Sequence, residues 1–534
     1  MSRIRVDSSY GMRAGGAITA AIVALVVARA ARADEPHNAN EPTVLSEPSE
    51  IMQVVDAFDN DDPFDVSLTI GFQQTVKGAK IRRETFINQP GLTTGNFVSD
   101  TLNVAKVTER RSRLNTRLDI GLYKDIALYA RMPIVLSDTR QLKELDGSGS
   151  QQPLVLRGEP GEQLFSLPFK SPTRSGIEYL ALGLDFALMN QARKPQYPTW
   201  IGGIEGRFNV SEPMHACNAS PGNLNQGTGE DDDLTQIKCA DPSDYNRNGK
   251  AGDVSVEEPA GSGTMVPLEG NFTGGRSAGV SRGVYGLQLR SLVSKRVKYV
   301  EPYGGFRALF EFPTDRSDFG LTDLQGSLVN HPPLRGTMIA GLAIIPWEIR
   351  EQYQRITVDL RFEGTYVSEG RDYSELFDAL GSSDARSLRR PHYAEYQANP
   401  DEATADEFPS VVNPNSQRVY FTGITDVQQH AEWSLSGQFT WQAGEYVKFN
   451  IGTQYSFLQG HFITFDAACN PDFAGNLDKA GPCRTENGPV TVGGYTATGI
   501  PNPNYRRSLN SPGYRFKVDD LNQIDGWVNV SVMF

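Results

Sequence analysis

From Phe64 onward the dominant period of the chain is two. Phe64, Val66, Leu68, Ile70 and Phe72 alternate with Asp65, Ser67, Thr69, Gly71 and Gln73, and Leu114, Leu118, Ile120 and Leu122 alternate with Arg113, Asn115, Arg117, Asp119 and Gly121. Successive side chains of a strand point to opposite faces, so each segment has one apolar and one polar face. The pattern recurs over 126–136, 177–188, 200–210, 285–293, 300–312, 338–344, 356–366, 431–441, 447–457 and 524–534, which makes twelve predicted strands. Most are longer than the usual five or six residues and long enough to cross a bilayer at a tilt.

The connections alternate as well. Tyr123-Lys124-Asp125 and Ala443-Gly444-Glu445 are tight turns, and 190–199, 294–299 and 347–354 are only modestly longer. Between them lie long polar stretches at 78–100, 138–176, 211–280, 313–335, 369–427 and 459–515, expected as loops. Short turns on one side and long loops on the other, with an even strand number, fit a transmembrane barrel. In lipid an open sheet edge would leave peptide groups without partners, so the sheet must close. A soluble sandwich also alternates, but usually with shorter strands. The prediction is an all-β fold, a transmembrane antiparallel β-barrel of about 12 strands with short periplasmic turns and long external loops. Trp200, Trp347 and Trp441 fall beside short turns, where an interfacial aromatic girdle belongs.

The first residues follow another logic. Arg3, Arg5 and Arg13 precede the apolar run 17–27, which leads to Ala31-Arg32-Ala33 and then to acidic Asp34-Glu35. This order predicts a secretory signal peptide over 1–33, a flexible periplasmic lead over 34–62 and the barrel over 63–534. Export implies an oxidising compartment for the four cysteines. Cys217 and Cys239 share one predicted external loop and Cys469 and Cys483 another, so two local bridges are expected, with interloop pairing as the alternative. The formal charge of -13, with no basic stripe, excludes nucleic acid as a partner.

The chain ends Gly526-Trp527-Val528-Asn529-Val530-Ser531-Val532-Met533-Phe534. This alternation, finished by a terminal aromatic, resembles the last strand of Gram-negative outer-membrane β-barrel proteins of the porin-like kind, with Val528, Val530, Val532 and Phe534 matching. The resemblance identifies no subfamily. It implies an outer-membrane location, recognition of Phe534 by the barrel assembly machinery, and contact with outer-membrane lipid and lipopolysaccharide.

The polar phase supplies the expected lumen. It holds Arg113, Arg117, Arg131, Arg207, Arg290, Arg307, Arg361 and Lys448 against Asp65, Asp119, Asp185, Glu205, Glu301, Glu311, Asp359, Glu363 and Glu432. That near-balance points to ion pairing across the interior, while a strongly selective pore would favour one sign. Across the tight turn at 123–125, Arg117 falls opposite Arg131, a repulsive pair unless Asp119, Asp185 or a bound anion intervenes. The candidates for contact with a solute are Arg113, Arg117, Arg131, Asp119, Asp185, Glu205, Arg207 and Arg361.

Asp244, Asn246 and Asn248, followed by Gly249, have the ligand spacing of a calcium loop, because alternating oxygens wrap one hard cation and glycine permits the turn. Ser255 replaces the closing glutamate, so no cofactor is expected, with calcium as the weak alternative. No His-Glu-x-x-His motif is present. His430 and Ser434 share a face but stand ~13 Å apart at 3.3 Å per residue, too far for base and nucleophile. Catalysis is therefore not expected. The function expected is passive passage of a small solute, with a surface barrel whose loops bind a partner or lipopolysaccharide as the alternative and a homo-oligomer left open.

Overall fold

The computed structural model describes Val54, Val329 and residues 65–88, 97–145, 152–158, 161–219, 277–314, 317–320, 331–383, 385–388, 421–467 and 505–533, with a few short paired segments between them. Twelve strands form one closed sheet: β1 (Val66–Asn88), β2 (Phe97–Tyr123), β3 (Ile126–Glu144), β4 (Leu180–Met189), β5 (Thr199–Phe208), β6 (Val284–Ser294), β7 (Val300–Pro313), β8 (Arg335–Ile349), β9 (Gln354–Val367), β10 (His430–Gln442), β11 (Val447–Leu458) and β12 (Phe516–Met533). Each pairs antiparallel with its neighbour in sequence, and β12 returns to β1 in a register running from Ser67 opposite Met533 to Arg83 opposite Phe516. All twelve predicted strands are present.

The alternation becomes an outside and an inside. Leu68, Phe72, Leu118, Leu128, Leu182, Ile204, Leu289, Phe306, Leu360, Leu435, Ile451 and Val528 are exposed on the outer wall, while Asp119, Asp185, Glu205, Glu301, Asp359 and Lys448 are buried. Trp200, Trp347 and Trp441 are exposed beside the short turns, as the girdle requires. No helix among the described residues is long and apolar enough to cross a membrane; this barrel crosses with strands.

Two expected boundaries need correction. The stretch 78–100 was expected as a loop, yet β1 continues to Asn88 and β2 begins at Phe97; likewise β3 continues into the expected loop 138–176 as far as Glu144. Beyond the apolar belt the polarity of the two faces inverts. Ala79 and Ile81 are buried, whereas Lys80 points out and pairs with Asp520 at 2.7 Å. The extended ends of β1, β2, β3 and β12 thus present Ala79, Ile81, Val104, Val107, Leu142, Phe516 and Val518 to an apolar cluster completed by loop residues, among them Leu156, Leu164, Phe169, Leu376, Leu380, Leu388 and Phe421. This cluster is a folded cap on the long-loop end of the barrel.

The cap is fastened by buried polar contacts. Arg174 grips Asp378 through two hydrogen bonds of 2.6 and 3.0 Å and donates to the His215 carbonyl, while Asp378 accepts from the Cys217 amide. Arg83 donates to the carbonyls of Val155, Arg157, Ser508 and Tyr514, tying three segments to β1. Cys217 and Cys239 form the expected disulfide. The second expected pair, Cys469 with Cys483, lies outside the described side chains, as do the calcium-like residues Asp244, Asn246 and Asn248, the 1–33 leader and Phe534.

Glycine and tyrosine cooperate inside the wall. Tyr129 of β3 lies across Gly183 of β4 to reach Glu205 of β5, with its hydroxyl 3.0 Å from the carboxylate. Tyr303 of β7 repeats this device, crossing Gly341 of β8 to reach Asp359 of β9 at 2.8 Å. A Cβ at either glycine would sit 2.2 Å from the tyrosine ring, so only glycine allows the crossing. Gly341→Val is expected to displace Tyr303 and lower barrel stability by about 1–3 kcal/mol, visible as a lower temperature for the heat-induced gel mobility shift.

Candidate functional site

The lumen contains two ionic layers and a cavity. In the first layer Arg117 binds Asp119 at 2.6 Å and Asp185 at 3.0 Å, Arg290 binds Asp185 at 2.5 Å, and Arg117 also stacks on the Tyr129 ring at 4.0 Å. Arg131 and Arg207 share Glu205, each at 2.7 Å. Arg117 and Arg131 are opposed in the register, and their repulsion is relieved by these separate carboxylates. In the second layer Arg361 lies between Asp359 at 3.4 Å, Glu363 at 3.5 Å and the Tyr303 hydroxyl at 3.1 Å, while Arg307 reaches Glu363 at 3.1 Å. Removing one member would leave its partner as an unpaired buried charge.

The cavity, of about 380 Å³, lies between these layers and the cap. Its cations are Lys77, Arg111, Arg113, Arg140, Arg282 and Arg335; its anions are Glu109, Asp372, Glu375 and Asp525; Gln73, Thr75, Gln454, Gln523, Tyr373, Ser374, Trp527 and a single aliphatic residue, Val107, complete the wall. The loop after β9 supplies Asp372, Tyr373, Ser374 and Glu375, which are carried inward because the following helix, Phe377–Gly381, is wholly buried in the cap. Arg282 pairs with Glu311 at 2.9 Å and Asp372 at 2.8 Å, and Arg113 with Glu178 at 3.0 Å and Gln73 at 2.8 Å. Arg111 and Arg140 share Asp138 at 2.9 and 3.2 Å. Trp527 lies across Gly452 and donates to Gln438 at 3.2 Å.

Of the eight residues expected to contact a solute, Arg113 lines this cavity. Arg117, Arg131, Asp119, Asp185, Glu205, Arg207 and Arg361 belong to the ionic layers. Sequence reasoning missed Lys77, Glu109, Arg111, Arg140, Arg282, Arg335 and the 372–375 segment. A signal existed for two of them, since Arg111 and Glu109 continue the odd-numbered inward phase of Arg113 and Arg117. For the loop residues the sequence carries no comparable signal.

At the cap boundary the rings of His430 and His461 stack 3.7 Å apart, with Nδ1 of each held against a backbone carbonyl, of Gln428 at 3.0 Å and Gln459 at 2.7 Å. Burial, reinforced by His430, lowers the His461 pKa to about 4. Burial would raise the carboxyl of Glu375, but Lys77 at 2.7 Å overrides it and holds that group at about 2.

A closed antiparallel sheet satisfies its backbone within itself, and an apolar belt outside an ion-filled interior is kept from water by lipid. The protein is a transmembrane β-barrel. No family model matches its sequence, and no curated protein matches it. Among solved structures, an outer-membrane channel from Pseudomonas putida F1 overlaps 90% of this chain and 100% of its own at 8% identity and a TM-score of 0.28. A FadL homologue from Pseudomonas aeruginosa overlaps 88% and 90% at 8% identity and 0.29. The outer-membrane protease OmpT from Escherichia coli overlaps 90% and 100% at 8% identity and 0.24. At such low identity and TM-score the barrel is established by its own strand register.

The lowered pKa of His461 fixes a pH dependence of the cap. A histidine whose folded pKa is depressed stabilises the fold fully above its ordinary value of about 6.5 and loses that contribution as pH falls toward about 4. Glu375 adds a second loss from its ordinary 4.5 down toward about 2. The protection factors of amides 461–465, taken relative to the intrinsic exchange rate at each pH, are therefore expected to fall between pH 6.5 and 4, and His461→Gln is expected to flatten that first step.

Proposed function

We propose that the barrel is a channel for a small hydrophilic solute, which rests in the cavity between the ionic layers and the cap. The observation that carries this reading is the cavity wall itself. Cationic, anionic and amide groups surround about 380 Å³ of space. An apolar solute would strip water from these groups without replacing its hydrogen bonds. A solute rich in oxygen acceptors, such as a carboxylate or a polyol, replaces them. Arg113 is the member of the sequence-derived set assigned to solute contact, and the ionic layers hold the lumen's shape.

The second reading, a surface barrel whose loops bind a partner or lipopolysaccharide, draws support from the apolar cap that covers the long-loop end. Proteoliposome swelling separates the two. Sugars, amino acids and dicarboxylates are expected to enter and fatty acids not to; vesicles that exclude every solute would favour the surface barrel. Within the channel reading, replacing Arg140 and Arg335 by Gln together is expected to shift the chloride-to-sodium permeability ratio toward sodium. The shift is roughly fivefold for each charge removed, taking about 1 kcal/mol for a unit charge met at 4 Å in water, read from the reversal potential in a planar bilayer under a salt gradient.

A further inference from the structure

The lumen is mostly polar, but an aliphatic row crosses it, starting beside the short turns of β4, β5 and β6. Ala187 of β4 is opposite Ile201 of β5, Ile201 is opposite Leu292 of β6, Leu292 is opposite Gly305 of β7, and Gly305 is opposite Ile339 of β8. This row runs across five adjacent strands on the inward face, between the outward neighbours Trp200, Val293, Phe306 and Met338, all exposed. A water-filled interior gives no reason to align aliphatic side chains in this way. Left uncovered they would be wet, yet Ile201 is 1%, Leu292 4% and Ile339 9% exposed.

Val54 is among the side chains that cover them. Val54, twelve residues before β1 begins at Val66, is 6% exposed and packs in one cluster with Ile201, Leu292, Ile339, Ala127 and Tyr303. The sequence around it is apolar at Ile51, Met52, Val55 and Phe58, set among the acidic residues Glu50, Asp56 and Asp59. The apolar row and the apolar side chain that occupies it are complementary, and they meet inside the barrel.

We propose that this inner apolar row is a seat for Val54, and that Val54 seated there narrows the lumen at the short-turn end. The cap covers the opposite end, so the cavity lies between two closures made by different parts of one chain. The seat is independent of which solute passes, while its effect on conductance rests on the channel reading. Any solute leaving at the short-turn end must then displace Val54.

Paired cysteines in the full-length protein test the seat. Val54→Cys with Ile201→Cys is expected to give a linked peptide on mild oxidation in isolated outer membranes, identified by mass spectrometry of an unreduced digest. Val54→Cys with Asn450→Cys, on the opposite wall, is expected to give none. Absence of the first link, or equal yield of both, overturns the seat. Bilayer recordings test the closure: oxidation of the first pair should suppress open events, dithiothreitol should restore them, and Val54→Asp should raise their frequency by about tenfold or more, because an unpaired charge is costly against an apolar row. A link at Ile201 with Val54→Asp no more conductive than the parent overturns the closure and leaves the seat standing. If every variant including the parent is silent while the link forms, the channel reading has failed and the closure with it, and the seat again stands.

Discussion

The pairing of β1 with β12 is the constraint on which everything else depends. Without it two edges of peptide groups would face hydrocarbon, at a cost of several kcal/mol for each unsatisfied group. Once Ser67 meets Met533 and the register runs on to Arg83 and Phe516, every barrel strand has two neighbours. Closure also forces the alternation to mean one thing only. Even a single-residue slip of register would turn Asp185, Glu205 and Asp359 toward lipid and Leu182, Ile204 and Leu360 toward the lumen. The ionic interior and the apolar belt therefore specify the same register from opposite sides.

A twelve-stranded barrel is wider than one that side chains fill completely and narrower than an open pore. Here the difference is made up in layers. Arginine–carboxylate clusters and two tyrosines laid across glycines fill the middle, a folded cap fills the long-loop end, and Val54 with an apolar row fills part of the short-turn end. Since most of the charges are paired, the ionic layers act chiefly as fixed scaffolding around the cavity. The aliphatic cap core does the same at the membrane surface, where long loops could not otherwise hold a defined shape.

The twelve strands and the Cys217–Cys239 bridge were legible in the sequence because both follow from local pattern: a period of two, and two cysteines in one loop. The upper halves of β1 and β2 were not. Past Gly78 the outward position is taken by Lys80 while the inward positions become Ala79 and Ile81, facing the cap, so the apolar phase reverses and the run reads as irregular. The inward charges were legible by parity, and so was their near-balance. Which of them face open space was not, because the cavity is finished by Asp372 to Glu375, whose position depends on Arg174 meeting Asp378 across more than two hundred residues. Such contacts leave no periodic trace.

The central claim is that β10 faces lipid with one set of side chains and the lumen with the other. Nitroxide labels placed singly along 431–441 in the reconstituted protein test it through collision rates with oxygen, which concentrates in lipid. The rates should rise and fall with a period of two, with maxima at Trp433, Leu435, Phe439 and Trp441, which are exposed on the outer wall, and minima at Ser434, Ser436, Gln438 and Thr440. A flat profile, or maxima at the even positions, would contradict the barrel as described.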